Sequence, residues 1–435
     1  MSSSVVPRVN HRYVLTPWSA QGSLNMPSID RAQGVYLYDT DGKRYLDLSA
    51  GLVAVNLGHG NAHVADAIAA QAKRLCYASP QFFNDARSSL AERLSAIGPW
   101  PQGARVFFTT GGGEANEDAL KMARAITGRH KVLTAYRSFH GSAPGAGTLT
   151  GENRRWPNEP GIPGVVRFFA PYPYRSPFHT EDPATEVQRA LEHVELVLTY
   201  EDPARVAALL IEPVVGTNGA IVYPDGYLAG LRELCTRYGI VLIFDEVMCG
   251  FGRTGAAFAA QRFGVTPDII TFAKGVTSAY VPLGGVLVRE TLAQTFDTTP
   301  LPCGHTFSGH PLAMAAAAAA LDVYERDDLF ARALTIETWL RDGLAKLMNR
   351  TPSIGDVRGI GAFFAIELVA DRATREPIVA WQGRDPGPLP KILARLRDQG
   401  VYAFGRYNLI LITPPLTIER HELDEGLEAL AVALT

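Results

Sequence analysis

Residues 240–247 read IVLIFDEV, an apolar run of strand length that ends in two carboxylates, Asp245 and Glu246. Nothing in it alternates with polar residues, so it reads as a strand covered on both faces. Residues 267–275, PDIITFAKG, repeat the pattern with Lys274 at the end. Working outward, RVFFTT (105–110), KVLTAY (131–136), VAALLIEPV (206–214) and GGVLVRE (284–290) are further strands. EANEDALKMARAIT (114–127) and GYLAGLRELCTRYG (226–239) have helical spacing, the latter stopping at Gly239. Buried strands alternating with helices predict an α/β fold with a mostly parallel sheet covered by helices. Residues 140–183, rich in Gly, Pro and aromatics, read as one long loop, and loops of that length favour function.

The last third differs. LFARALTIETWLRDGLAKLMNR (329–350) and LPKILARLRDQG (389–400) read as amphipathic helices, with short strands in GAFFAIELV (361–369) and NLILITPP (408–415). GVYLYDTDGKRYLDLSAG (34–51) reads as a hairpin with Asp-Gly in its turn, packing with that C-terminal part. The expected organisation is an N-terminal segment over 1–60, a large domain over 61–304, and a smaller α+β domain completed by 305–435. The 435 residues suffice for a large core and a second lobe.

Net charge is −3, with 47% hydrophobic and 20% charged residues, so no strong field favours nucleic acid or anionic lipid. Cys76, Cys235, Cys249 and Cys303 lie far apart and form no C-x-x-C pair, which fits free thiols in a reducing compartment. MSSSVVPRVNHRY (1–13) lacks the apolar stretch of a secretory signal, and no segment approaches the roughly 20 apolar residues of a membrane span. A cytoplasmic protein acting on small molecules is expected.

The strand-end carboxylate of Asp245 allows three readings: a magnesium-holding NTPase strand, a partner for the cationic ring nitrogen of a cofactor, or a cap on the next turn. The NTPase reading requires a G-x-x-x-x-G-K-[ST] loop. The chain's only Gly-Lys pair, Gly42-Lys43, is followed by Arg44 and lacks the preceding glycine. GHGNAH (58–63) likewise has His63 where a dinucleotide motif needs glycine. His59 and His63 are four apart but have no third ligand in reach of the pattern, and no metal is expected. In FFTTGGGEANEDALKMAR (107–124) three glycines lie between a strand and a helix, either as a permissive turn or as a backbone cradle for phosphate. A strand-end lysine, a strand-end carboxylate and a phosphate cradle are the parts of a pyridoxal phosphate site.

IFDEVMCGFGRTG (243–255), PDIITFAKG and GHTFSGHPLA (304–313) resemble, in order, the class III aminotransferases, the ω-amino-acid transaminase branch of fold-type I pyridoxal phosphate enzymes. The resemblance runs from about Trp18 through PPLTIERHELDEG (414–426). It implies a large domain with a seven-stranded, mostly parallel sheet. It implies that Lys274 is the Schiff-base lysine, that Asp245 holds the pyridine nitrogen protonated, and that Val247 packs under the ring. Gly112 and Gly113 match the phosphate-binding GSEAN of relatives, here GGEAN, with glycine in place of the serine. Phe139 falls where relatives often stack a tyrosine, and His140 and Glu212 fall on cofactor-side positions. Thr306 resembles the threonine that reaches the phosphate of a neighbouring subunit, which implies a homodimer. Trp18, Phe82 and Phe83 fall in substrate-pocket regions, with a core role the alternative. Arg406 is the candidate for a substrate carboxylate or sulfonate; this chain has Phe404 where many ω-transaminases carry a mobile arginine. The arrangement around Arg406 is similar to that of taurine- and β-alanine-type members. The implied reaction transfers the amino group of an ω-amino acid or primary amine to a 2-oxo acid, pyruvate first. Decarboxylation, racemisation or aminomutase chemistry are the alternatives.

Overall fold

The computed structural model describes residues 13–383 and 385–435; most of the MSSSVVPRVNHRY stretch therefore lies outside the described residues. All five residues of Val241–Asp245 are buried, as their composition demands. The strand pairs in parallel with Val206–Ile211 on one side and Ile269–Phe272 on the other, with Asp245 opposite Thr271. The sheet has seven strands in the order Ala104–Thr109, Gly284–Arg289, Ile269–Phe272, Val241–Asp245, Val206–Ile211, Lys131–Ala135, Val165–Phe168. Gly284–Arg289 runs antiparallel to both its neighbours; the other pairings are parallel. This is the seven-stranded, mostly parallel sheet that the sequence resemblance implies.

Residues 140–183 are not one loop. They contain the helix Pro144–Leu149 and the sheet's edge strand Val165–Phe168. That strand has four residues, three of them only half-buried, so it lacks the long apolar run that marks its central neighbours. The helix that follows the three glycines spans Gly112–Thr127, starting two residues before Glu114, and ends on Gly128 in a left-handed conformation.

Tyr36–Asp39 and Arg44–Asp47 form the expected hairpin, with Gly42 at φ 83° in the turn. Arg44–Asp47 then pairs in parallel with Val401–Tyr402, joining the two ends of the chain. Ile354–Ile360, Phe363–Asp371, Leu409–Ile412 and Phe404–Arg406 make a separate antiparallel sheet. The alanine-rich helix Pro311–Arg326 packs against Ala62–Arg74 and Asp85–Ala96, its small side chains allowing close approach. Cys76, Cys235, Cys249 and Cys303 are free. Among the described residues no helix is long and apolar enough to cross a membrane.

Candidate active site

The register places Asp245 and Lys274 at the same end of neighbouring strands, since Asp245 faces Thr271 and Lys274 follows three residues later. That end opens into a cleft of about 410 Å³. Gly112, Gly113, Phe139, His140, Glu212, Asp245, Val247 and Lys274 all line it.

Asp245 and Glu246 part company at the end of the strand. Asp245 turns to the cleft, where its Oδ2 accepts from Asn116 Nδ2 (2.8 Å) and His140 Nδ1 (2.7 Å). Its Oδ1 accepts from the Val247 N–H at 3.1 Å. Glu246 is fully buried beneath and takes the N–H groups of Ala259 and Ala260, capping the helix Ala259–Phe263. Burial pushes the Glu246 carboxyl up to about 8. Of the two, Asp245 faces the chemistry and Glu246 is structural.

Lys274 is half-buried and forms no ion pair among the described residues. Desolvation holds its ammonium below the ordinary lysine range; Asp245, Glu212 and Cys249 oppose that shift and Arg154 adds to it. Its φ is 48°, a left-handed conformation that costs a non-glycine residue about 1 kcal/mol or more. The neighbouring turn is clamped: Tyr324 donates its hydroxyl to the Gly275 carbonyl (2.7 Å), and the Leu57 N–H donates to Ser278 Oγ (2.9 Å). A β-carbon on Gly275 would meet Asn56 at 2.5 Å and Phe251 at 2.9 Å.

Glu212 accepts from the Phe139 N–H (2.9 Å) and the Gly216 N–H (2.7 Å). Burial pushes its carboxyl up to about 7; Asp245 adds to the rise, while His140 and the two N–H groups oppose it. At the other wall, Gly112 and Gly113 open the helix Gly112–Thr127, so its first N–H groups face the cleft. A β-carbon on Gly112 would lie 2.8 Å from both methyls of Val247, so a larger residue there must displace Val247 or the helix start.

The other candidates are placed differently. Trp18 meets Phe139 edge to face, at a centroid separation of 6.1 Å. Arg406 lies behind that wall and donates to Glu152 Oε2 at 2.8 Å. Phe82, Phe83 and Thr306 do not line the cleft of their own chain. Phe82 is 67% exposed and Phe83 92% exposed. Thr306 is exposed too, its carbonyl accepting from Tyr77 at 2.9 Å. His59 and His63 go to separate carboxylates, Asp47 (3.0 Å) and Asp322 (2.8 Å).

Sequence reasoning missed three groups. Asn116 donates to both Asp245 and the His140 carbonyl, and accepts from Thr271 Oγ1 at 2.7 Å. It stands one helical turn after Gly112, so the spacing already put it on the cleft face. Arg154 stacks 3.6 Å over the Phe139 ring, and Glu152 pairs with it. Only the length of the segment after His140 hinted at those two.

The profile of the family described as Aminotransferase class-III matches residues 18–434. A probable aminotransferase of Mycobacterium tuberculosis is 38% identical over 92% of this chain and 87% of its own length. Taurine–pyruvate aminotransferase of Bilophila wadsworthia is 35% identical over 93% of this chain and 91% of its own. Among solved structures, taurine:2-oxoglutarate aminotransferase of Bifidobacterium kashiwanohense, in complex with PLP and glutamate, superposes with a TM-score of 0.93. It shares 42% identity over 97% of this chain and 95% of that one. A strand-end lysine facing a clamped aspartate and a glycine-lined helix start, in a chain matched along nearly its whole length, leave one conclusion: this protein belongs to the class III aminotransferases.

Proposed function

We propose that this aminotransferase moves the amino group of an ω-amino acid or primary amine of the β-alanine or taurine type to a 2-oxo acid, pyruvate first. Lys274 carries the reading: an amine without an ion pair among the described residues, its proton affinity lowered by desolvation, opposite an aspartate with two side-chain donors on one oxygen. The taurine-using relatives support the donor class.

The residues present fit pyridoxal phosphate, the cofactor of the family. A cradle that a single β-carbon at Gly112 would fill, helix N–H groups beside it, a clamped carboxylate and an amine line one cleft. Gly112 and Gly113 would hold the phosphate, Phe139 and Val247 the two faces of the ring, and Asp245 the ring nitrogen. When bound, the cofactor supplies an electron sink that makes the donor's Cα–H acidic. Asp245 would hold a proton at the ring nitrogen, and Asn116 and His140 keep Asp245 in place. Lys274 Nζ would hold the cofactor and, once free, would carry a proton to and from the substrate carbon. Desolvation, which lowers its proton affinity, favours the amine form for both tasks.

A homodimer is part of this proposal. Phe82, Phe83 and Phe307 are exposed apolar side chains that a second copy would cover, and Tyr77 bonds the Thr306 carbonyl beside Phe307. Cytoplasmic residence is proposed on the free cysteines.

The test is a matrix of amine donors against 2-oxo acids, following acceptor consumption and amino acid formation. Taurine or β-alanine with pyruvate should consume pyruvate and yield alanine in equal amounts, and Lys274→Ala should yield none. Normal turnover by Lys274→Ala, or amine consumption without alanine, would sink the reading. The second outcome would point to decarboxylation, racemisation or aminomutase chemistry.

A further inference from the structure

Beside the Lys274 turn lies a guanidinium that the roles above leave unused. Arg253 is the largest side chain fully buried among the described residues, and each acceptor of its head group is neutral. Nη1 donates to the carbonyls of Ala362 (3.1 Å) and Pro414 (2.6 Å), and Nη2 donates to Asn56 Oδ1. The Ala362 N–H returns a bond to the Arg253 carbonyl at 2.9 Å. Burial pulls the guanidinium down to about 10, with Tyr324 and Asp47 opposing.

The three acceptors come from separate stretches of chain. Ala362 lies in the turn between Ile354–Ile360 and Phe363–Asp371, and Pro414 follows Leu409–Ile412, so both belong to the C-terminal antiparallel sheet. Asn56 belongs to the N-terminal part. It takes the guanidinium on its oxygen, which leaves Nδ2 to donate to the Phe251 carbonyl at 2.8 Å. A β-carbon on Gly275 would meet that same Nδ2 first, at 2.5 Å. The Asn56 carbonyl in turn accepts from the Leu416 N–H at 2.8 Å, a second tie to the C-terminal part. A staple to the C-terminal sheet needs only the carbonyls of Ala362 and Pro414. The remaining arm of the fork does something further: it fixes which end of the Asn56 amide faces the residue after Lys274.

We infer that Arg253 is a positioning residue for Lys274: through the Asn56 amide it sets the backbone of the Lys274–Thr277 turn from the C-terminal sheet. This rests on the reading of Lys274 as the reactive amine and goes beyond it, since Arg253 and Asn56 touch neither substrate nor cofactor in that reading.

The test is amide hydrogen exchange by mass spectrometry on the full chain loaded with pyridoxal phosphate. Leu198→Ala, a core truncation on the helix Pro183–Glu201, controls for a general loss of stability. Arg253→Met should speed exchange of the Gly275–Ser278 amides about tenfold, the effect of one lost buried hydrogen bond, while Leu198→Ala leaves them at the wild-type rate. Asn56→Ala should do the same. The double variant Arg253→Met/Asn56→Ala should exchange no faster than Asn56→Ala, because the two residues act in series. Should Arg253→Met fail to fold, Arg253→Lys decides: it keeps a cation for the two carbonyls, has one nitrogen in place of the fork, and should speed the same amides. In turnover, kcat of Arg253→Met should fall about tenfold with KM unchanged, since only the amine is misplaced. Exchange at these amides that matches the Leu198→Ala control, additive effects in the double variant, or faster exchange with unchanged kcat would overturn the inference. Exchange needs no turnover, so failure of the donor–acceptor matrix would sink the reaction assignment and leave these rates to judge Arg253 separately.

Discussion

Gly112 and Gly113 are neighbours with opposite tolerances. A β-carbon at Gly112 meets both Val247 methyls at 2.8 Å, whereas one at Gly113 reaches Gly141 only at 3.6 Å, an ordinary contact. Gly112→Ala should therefore push the helix start away from Val247 and weaken cofactor binding. Gly113→Ser should fit and tighten it about tenfold, by one hydroxyl donated to a charged group. Equilibrium dissociation constants of the two variants decide both. Glu212 gives a prediction in pH. Its carboxyl sits near 7 in the fold against an ordinary value of 4.5, so the folded state binds the extra proton between those values. The resulting stabilisation is complete below about pH 4.5 and disappears as pH rises through about 7. The melting temperature of Glu212→Gln relative to wild type should rise between pH 5 and 8 in thermal denaturation of the two apoproteins; a flat difference would contradict it.

At the scale of elements, one side chain pins three of them. Asn116, on the helix Gly112–Thr127, donates to Asp245 at the end of one strand and accepts from Thr271 in the next. Thr271→Val keeps the shape and removes the hydroxyl, so Asn116 Oδ1 loses its donor. A loss of about 1–2 kcal/mol of stability is expected in urea unfolding, together with a lower kcat as Asp245 loosens. The strands that carry this site were legible because central parallel strands must be apolar throughout, and both IVLIFDEV and PDIITFAKG announce their chemistry by breaking that rule at the last residues. The edge strand Val165–Phe168 was not legible, because a short strand with one open edge needs no such run. Asn116 was legible in spacing yet passed over, since a neutral amide gives no charge signal. Glu152 and Arg154 pair only after the chain folds over Phe139, which no local pattern records.

For the whole molecule, the exposed aromatic side chains Phe82, Phe83, Tyr77 and Phe307 bear on the proposed dimer. These residues belong to two segments 220 positions or more apart in sequence, brought side by side by the Tyr77 bond to the Thr306 carbonyl. If a second copy covers this face, Phe83→Asp should shift the sedimentation coefficient to that of a monomer at micromolar concentration and lower activity in parallel. A variant that stays dimeric and active would remove the surface from the proposed interface.

The clamped turn at Lys274 has a separate implication. Its backbone is fixed by Tyr324, Ser278 and the crowding around Gly275, so the reactive nitrogen travels on rotating methylenes alone. The pocket is thus shaped independently of the group it holds. Truncating the side chain in Lys274→Ala should leave a lysine-shaped tunnel in an otherwise intact protein, and a small diffusible base such as methylamine should re-enter it. Proton transfer would then return in proportion to amine concentration, turning a tethered reagent into a soluble one.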